Sequence, residues 1–214
     1  MIIIVQYGSI GGQWHHGEDA AYAAESGEYM TTGHPQETII ETYDYKGVTV
    51  DLVEWKDTVW CGKIGYAANN TDEPDVEKIM GAFFEVNDSG VTANGREEGW
   101  DVCISLNYLA AGKSNGVMFG FLVESENQPQ DYDLLKLPGA HYMRLRICDE
   151  AAAALEQKPW KGGVPPYGWI AEDIAPKLGY MGVDTSPVFE YYGYFDPDKN
   201  EHKYCYLYVP VRKG

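Results

Sequence analysis

The chain has 214 residues, 44% of them hydrophobic, enough for one generous domain or two small ones with a true core. Its formal net charge of −17 disfavours direct contact with nucleic acid or an anionic membrane surface and favours cationic solutes. The 17 tyrosines and 6 tryptophans outnumber the 6 phenylalanines, and aromatics that carry a polar atom suit half-wet pockets.

Residues 1–45 read as a variable N-terminal extension. They open with a strand-like run, Ile2 to Tyr7, without the basic start of a secretion signal, and no apolar run is long enough to span a bilayer. A cytoplasmic protein with no membrane association is expected. Gly8-Ser9-Ile10-Gly11-Gly12 lacks the ending of a phosphate loop and reads as an ordinary loop. His15 and His16 would point apart on a strand, and with His34 they read as exposed polar residues rather than ligands. Cys61, Cys103, Cys148 and Cys205 are far apart in sequence and form no CxxC pair, so buried reduced thiols are expected and no metal site or cofactor.

From residue 46 the chain repeats itself. Val50 to Trp55, continuing to Trp60-Cys61, pairs with Tyr132 to Leu137, continuing to Tyr142-Met143, at an offset of 132 − 50 = 82. Trp100 to Ile104 pairs with Ser186 to Glu190 at an offset of 86, and Val117 to Phe121 with Tyr204 to Tyr208 at 87. The reading is an extension (1–45) followed by one domain (46–214), with repeat one at about 46–126 and repeat two at about 127–212. Each copy reads as strand, helix, strand, strand. The first helix covers Asp75 to Val86, with Val76, Ile79, Met80, Phe83 and Phe84 on one stripe and Thr71 or Asp72 as its cap. The second covers Tyr167 to Leu178, behind Pro165-Pro166, with Pro176 ending or kinking it. The Lys161-Gly162-Gly163 run reads as a flexible lead. The class is α+β: duplicated β-α-β-β units that form an antiparallel sheet with helices on one face.

Period-two alternation separates two faces of the sheet. Cys205, Leu207, Val209 and Val211 form an aliphatic row suited to lie under helices, and Tyr204, Tyr206 and Tyr208 form the opposite row, expected to face something wetter. Val188, Glu190, Tyr192 and Tyr194 share one face, so a hairpin would bring the lone acid of that strand to the tyrosines. The matching positions of the first copy, Ile104, Phe119 and Phe121, would supply an apolar wall. Trp60 and Tyr142, equivalent in the two copies, are candidates to line a groove, together with Tyr108 and Trp169. Arg144 and Arg146, alternating with Met143 and Leu145, are expected to bridge surface acids.

The segment Pro187-Val188-Phe189-Glu190-Tyr191-Tyr192, then Asp196-Pro197-Asp198, then Tyr204 through Val211, resembles the GyrI-like effector-binding family. Leu137-Pro138-Gly139-Ala140-His141-Tyr142 resembles the family's proline-glycine turn. The resemblance spans about residues 46–212 and is concentrated at the C-terminal end. It implies a duplicated fold with a groove between the halves, in which Glu190 contacts cationic or aromatic ligands. Where the family carries Trp-Leu-Pro near the end of its second helix, this sequence has Ile174-Ala175-Pro176. No helix-turn-helix pattern precedes the domain, so a member without its own DNA-binding domain is expected.

Three functions follow from this reading. The first is binding of small hydrophobic, aromatic or cationic molecules by Trp60, Ile104, Tyr108, Phe119, Phe121, Tyr142, Trp169, Glu190, Tyr192, Tyr206 and Tyr208. The second is hydrolysis of strained cyclopropane-bearing electrophiles, with Glu190 as general base or proton donor and Tyr142 or Tyr206 to orient the water or stabilise a leaving group. The third is an acidic protein-interaction role of the gyrase-inhibitor kind. A monomer or homodimer is expected in each case.

Overall fold

The computed structural model describes residues 36–96, 100–159, 166–196 and 201–214. The loop at 8–12, the three histidines at 15, 16 and 34, and the run at 161–163 lie outside the described residues, as do the side chains of Tyr194 and Tyr204. The elements in chain order are β1 (Glu37–Tyr45), β2 (Val48–Trp55), β3 (Thr58–Tyr66), α1 (Val76–Asp88), β4 (Trp100–Leu106), β5 (Gly116–Val123), β6 (Asp133–Leu137) and β7 (Ala140–Arg146). A short α2 (Asp149–Ala154) follows, then α3, a π-helical stretch Trp169–Ile174 that runs into the α-helical turn Ala175–Lys177, and finally β8 (Tyr180–Gly182), β9 (Val188–Asp196) and β10 (Glu201–Lys213). Every ladder is antiparallel, and the sheet order is β1-β2-β7-β10-β9-β4-β5-β3-β6, with β8 on the end of β10.

Local chemistry explains these boundaries. β1 turns into β2 through Lys46 and Gly47, both at positive φ, and the Asp44 carboxylate accepts the Gly47 N–H at 3.0 Å. The cap of α1 is Asp75, which accepts the Lys78 N–H, rather than Thr71 or Asp72. It lies closest to the first turn, and Ile79 and Phe83 of the expected stripe are buried. In α3, Pro176 has no N–H to give, and the Ala175 N–H reaches five residues back to the Ile170 carbonyl. The proline-containing segment therefore relaxes into π geometry rather than a regular helix over 167–178.

Repeat one contains one strand more than the alternation predicts, and repeat two contains two more, one of them the short β8. The apolar run Val50 to Cys61 is two strands, β2 and β3, joined only by Lys56 and Asp57, and β6 and β7 are likewise joined by Pro138 and Gly139. β2 pairs with β7, and β3 with β6, so each run crosses from one half of the sheet to the other. A two-residue link spans about 10 Å, yet β2 and β3 stand near opposite ends of the sheet order. The sheet must therefore curl until its halves face each other.

The strand order from β2 to β6 is symmetric about the β9–β4 pair. Register fixes the equivalences. Trp60 answers to Tyr142 at 142 − 60 = 82, as the sequence repeat has it. Cys103 directly opposes Glu190, and Phe119 and Leu207 flank that pair in the same row. The offsets there are 190 − 103 = 87 and 207 − 119 = 88, each one more than the ungapped sequence pairing. A two-fold axis normal to the sheet preserves faces, and Ile104 opposes Phe189, so Ile104 cannot be the counterpart of Glu190.

The same register corrects the tyrosine row. Glu190 lies beside Leu207, and Tyr192 beside Cys205, while Tyr206 and Tyr208 oppose Tyr191 and Phe189 on the other face. The curled sheet encloses that other face. Trp55, Trp60, Tyr142, Phe189, Tyr191 and Tyr208 pack there with Ile104 and Met118 as a buried aromatic core. Phe189 stacks on Tyr208 at 4.4 Å, and Trp55 meets Phe189 and Tyr208 edge-on at 5.4 and 5.5 Å. The expectation that this row faces something wetter fails at Tyr208, which is buried.

The outer face carries the helices of both repeats. α1 sets Phe83 on Phe121 and Cys61, and α3 sets Ile170 and Ile174 on Met143, Leu207 and Val209. Arg144, expected at the surface, is buried and bonded to Asp51 at 3.1 Å through Nε and to Glu37 of β1. β1, which lies within the extension, thus delivers an acid to an interior guanidinium. No helix among the described residues is long and apolar enough to cross a membrane.

Candidate functional site

Among the described residues Glu190 is the fully buried acid of the central strands on their helix-covered face; Asp101, on the same face of β4, is half-exposed and paired with Arg96 at 3.1 Å. β9 and its neighbours β4 and β10 form the floor: Cys103 opposes Glu190 from one side and Leu207 from the other, with Phe119 next along the row. Two residues on, Tyr192 points to the same face, and its hydroxyl donates to Glu190 Oε2 at 2.8 Å. From above, Tyr167, placed at the entry to α3 by the Ile170 and Ala171 N–H bonds to its carbonyl, donates its hydroxyl to Oε1. Ser105 of β4 lies 3.4 Å from the same hydroxyl, and the half-exposed Tyr108 packs its ring on Tyr167 at 5.0 Å between centroids.

Only 1% of Glu190 is exposed. Burial pushes its carboxyl up to about 7, against the Tyr167, Tyr192 and Cys103 hydrogen bonds that pull it down. Burial and the nearby carboxylate drive Tyr167, Tyr192 and Cys103 well above their ordinary values, so these neighbours keep their protons at neutral pH. Among the described residues no lysine, arginine or histidine pairs with Glu190. A carboxylate buried without a cation is costly to ionise and strongly attracts one.

The residues singled out in the sequence fall into three places. Glu190, Tyr192, Phe119 and Tyr108 stand on or beside the outer-face site. Trp60, Ile104, Tyr142 and Tyr208 are buried in the enclosed core, with the half-buried Tyr206 packed against it, its ring 5.1 Å from the Arg144 guanidinium. Phe121 belongs to the cluster under α1, and Trp169 to the cluster under α3. Tyr142 therefore cannot partner Glu190, because the sheet lies between them. At the two interstrand links a recess of about 190 Å³, counted with its open mouth, reaches Trp60, Tyr142 and Phe189. That is short of the roughly 300 Å³ at which small-molecule pockets begin.

Tyr167, Cys103 and Ser105 were not marked by the sequence. The one available signal for Tyr167 was its place at the start of a helix bounded by prolines. Cys103 was hidden by the one-residue slip in the repeat, which set Ile104 opposite the wrong neighbour.

No family model and no curated protein matches the sequence. Solved structures match the fold. SAV2435 bound to tetraphenylphosphonium gives a TM-score of 0.51 at 16% identity, over 81% of this chain and 94% of that one. The EcmrR C-terminal domain gives 0.50 at 14% identity, over 77% and 98%. EcmrR in a complex with DNA gives 0.50 at 9% identity, over 92% of this chain and 64% of that one. At such identities the likeness is one of fold.

Proposed function

We propose that this chain, which has the fold of the GyrI-like effector-binding domains, binds small hydrophobic organic cations at Glu190 on the helix-covered face of its sheet. The observation that carries the reading is a carboxyl 1% exposed that, among the described residues, is bonded to uncharged phenol and thiol groups. In so dry a place a ligand's positive charge is worth far more than in water, and the Tyr108 and Tyr167 rings, 5.0 Å apart, supply aromatic surface beside the same carboxyl. The acidic chain as a whole favours the approach of cations. The tetraphenylphosphonium held by SAV2435 is a ligand of the same class on a similar fold.

Fluorescence titration with acridine orange, protonated at about pH 8, tests the reading. Saturable binding to the wild type is expected, weakened about tenfold or more in Glu190→Gln, which keeps the shape and removes the charge. Equal affinity in the variant, or no binding to the wild type, would overturn it.

A second reading, hydrolysis, is favoured by one observation: a carboxyl held at about 7 is suited to accept a proton near neutrality. Its phenol partner would be Tyr167 or Tyr192, not Tyr142. Turnover lost in Glu190→Gln with binding of the same electrophile retained would decide for it. Binding is preferred because it asks only for a buried acid with no cationic partner among the described residues.

A further inference from the structure

We propose that Tyr167 holds the place of the ligand's charged head, so that the site selects flat cations bearing an N–H over quaternary cations of the same shape. The inference rests on the reading of Glu190 as the cation site and adds which cations it takes and what they displace.

The two phenols at Glu190 differ in their freedom. Tyr192 is two residues along the same strand, fixed between β4 and β10 by its pairing with Asp101 and Cys205. It belongs to the floor and stays with Oε2. Tyr167 arrives from the helix side, fully buried, with its hydroxyl on Oε1. Its outer neighbour is Tyr108, 42% exposed, so the succession from solvent to carboxylate runs Tyr108, Tyr167, Glu190. A ligand approaching from that side meets Tyr167 before it meets the acid. Ser105, 3.4 Å from the Tyr167 hydroxyl, offers a partner that the phenol keeps when it leaves Glu190.

Displacement removes one donor from a buried carboxylate. A ligand with an N–H restores that hydrogen bond in charge-assisted form, and the displaced ring and Tyr108 remain as aromatic walls. A quaternary cation brings the charge but leaves Oε1 without a donor. Hydrogen bonds to charged buried groups correspond to roughly tenfold to hundredfold in affinity, which sets the preference expected here. Tyr167 also competes with every ligand, so its removal strengthens binding, opposite in sign to the loss of an ordinary contact residue.

The test uses acridine orange, whose ring nitrogen carries a proton at about pH 8, and 10-methyl acridine orange, the same flat cation without the donor. Each is titrated into the wild type, Tyr167→Phe and Glu190→Gln. The wild type is expected to bind the protonated dye at least about tenfold more tightly than the methylated one. Tyr167→Phe is expected to bind both dyes about tenfold more tightly than the wild type does, because the competing donor is gone while the ring stays. Equal wild-type affinities that both fall in Glu190→Gln would overturn the selection and leave the cation site standing. Unchanged or weaker binding by a folded Tyr167→Phe would overturn the displacement. Binding of both dyes indifferent to Glu190 would remove the cation site and this inference together. The wild-type comparison needs no variant, so a Tyr167→Phe chain that fails to fold still leaves the selection decided.

Discussion

The carboxyl of Glu190 gives the fold a pH dependence of its own. Its value rises from an ordinary 4.5 to about 7 on folding, chiefly through burial. A raised acid favours the fold while protonated, so its contribution is complete below about pH 4.5 and is lost as pH climbs through 7. At 1.36 kcal/mol for each unit, the loss is about 3 kcal/mol. Urea denaturation at pH 5 and pH 8 should show the wild type losing most of that relative to Glu190→Gln, which has no proton to lose. Identical pH profiles for the two proteins would contradict the burial argument. The acid and Tyr192 were legible in the sequence because alternation along one strand puts residues i and i+2 on one face. Tyr167 was not, because its bond to Glu190 joins a helix entry to a strand 23 residues on. No local period reports such a contact.

At the scale of elements, alternation found the strands but not where they bend. Val50 to Cys61 carries apolar residues on both sides of Lys56-Asp57, and a run buried on both sides of a corner looks the same as one long strand. Only the sheet order shows that Lys56 and Asp57 turn the chain from one half to the other. Likewise Arg144, alternating with Met143 and Leu145, looked like a solvent-facing residue. It is in fact the centre of a buried cluster with Glu37 and Asp51, and Thr42 adds a 2.7 Å bond to Asp51. Removing one member of a buried charge group strands the others. Arg144→Met should therefore cost about 3–5 kcal/mol in denaturation experiments, and adding Glu37→Gln and Asp51→Asn should restore most of the loss. A single Arg144→Met chain as stable as the wild type would show that β1 contributes nothing through this contact.

For the molecule as a whole, duplication was legible from three apolar segments at similar spacing, while its exact register was not. One residue of slip leaves hydrophobic patterns matching and exchanges the faces. With the register set by pairing, Cys103 and Glu190 straddle the pseudo-two-fold axis, and the row Phe119, Cys103, Glu190, Leu207 crosses all four central strands. The buried acid is therefore central, shared by both repeats, and covered by a tyrosine from the helical side. The most direct test of cation recognition at this acid is calorimetric titration of acridine orange in buffers of different ionisation enthalpy. The phenols and thiols around Glu190 keep their protons at neutrality, so a cation that settles on its carboxylate must expel the proton of that acid alone. The account predicts nearly one proton released per bound cation at about pH 6, falling to nearly none at about pH 9, and none at any pH from Glu190→Gln. Binding at pH 6 without proton release, or release undiminished in the variant, would contradict it.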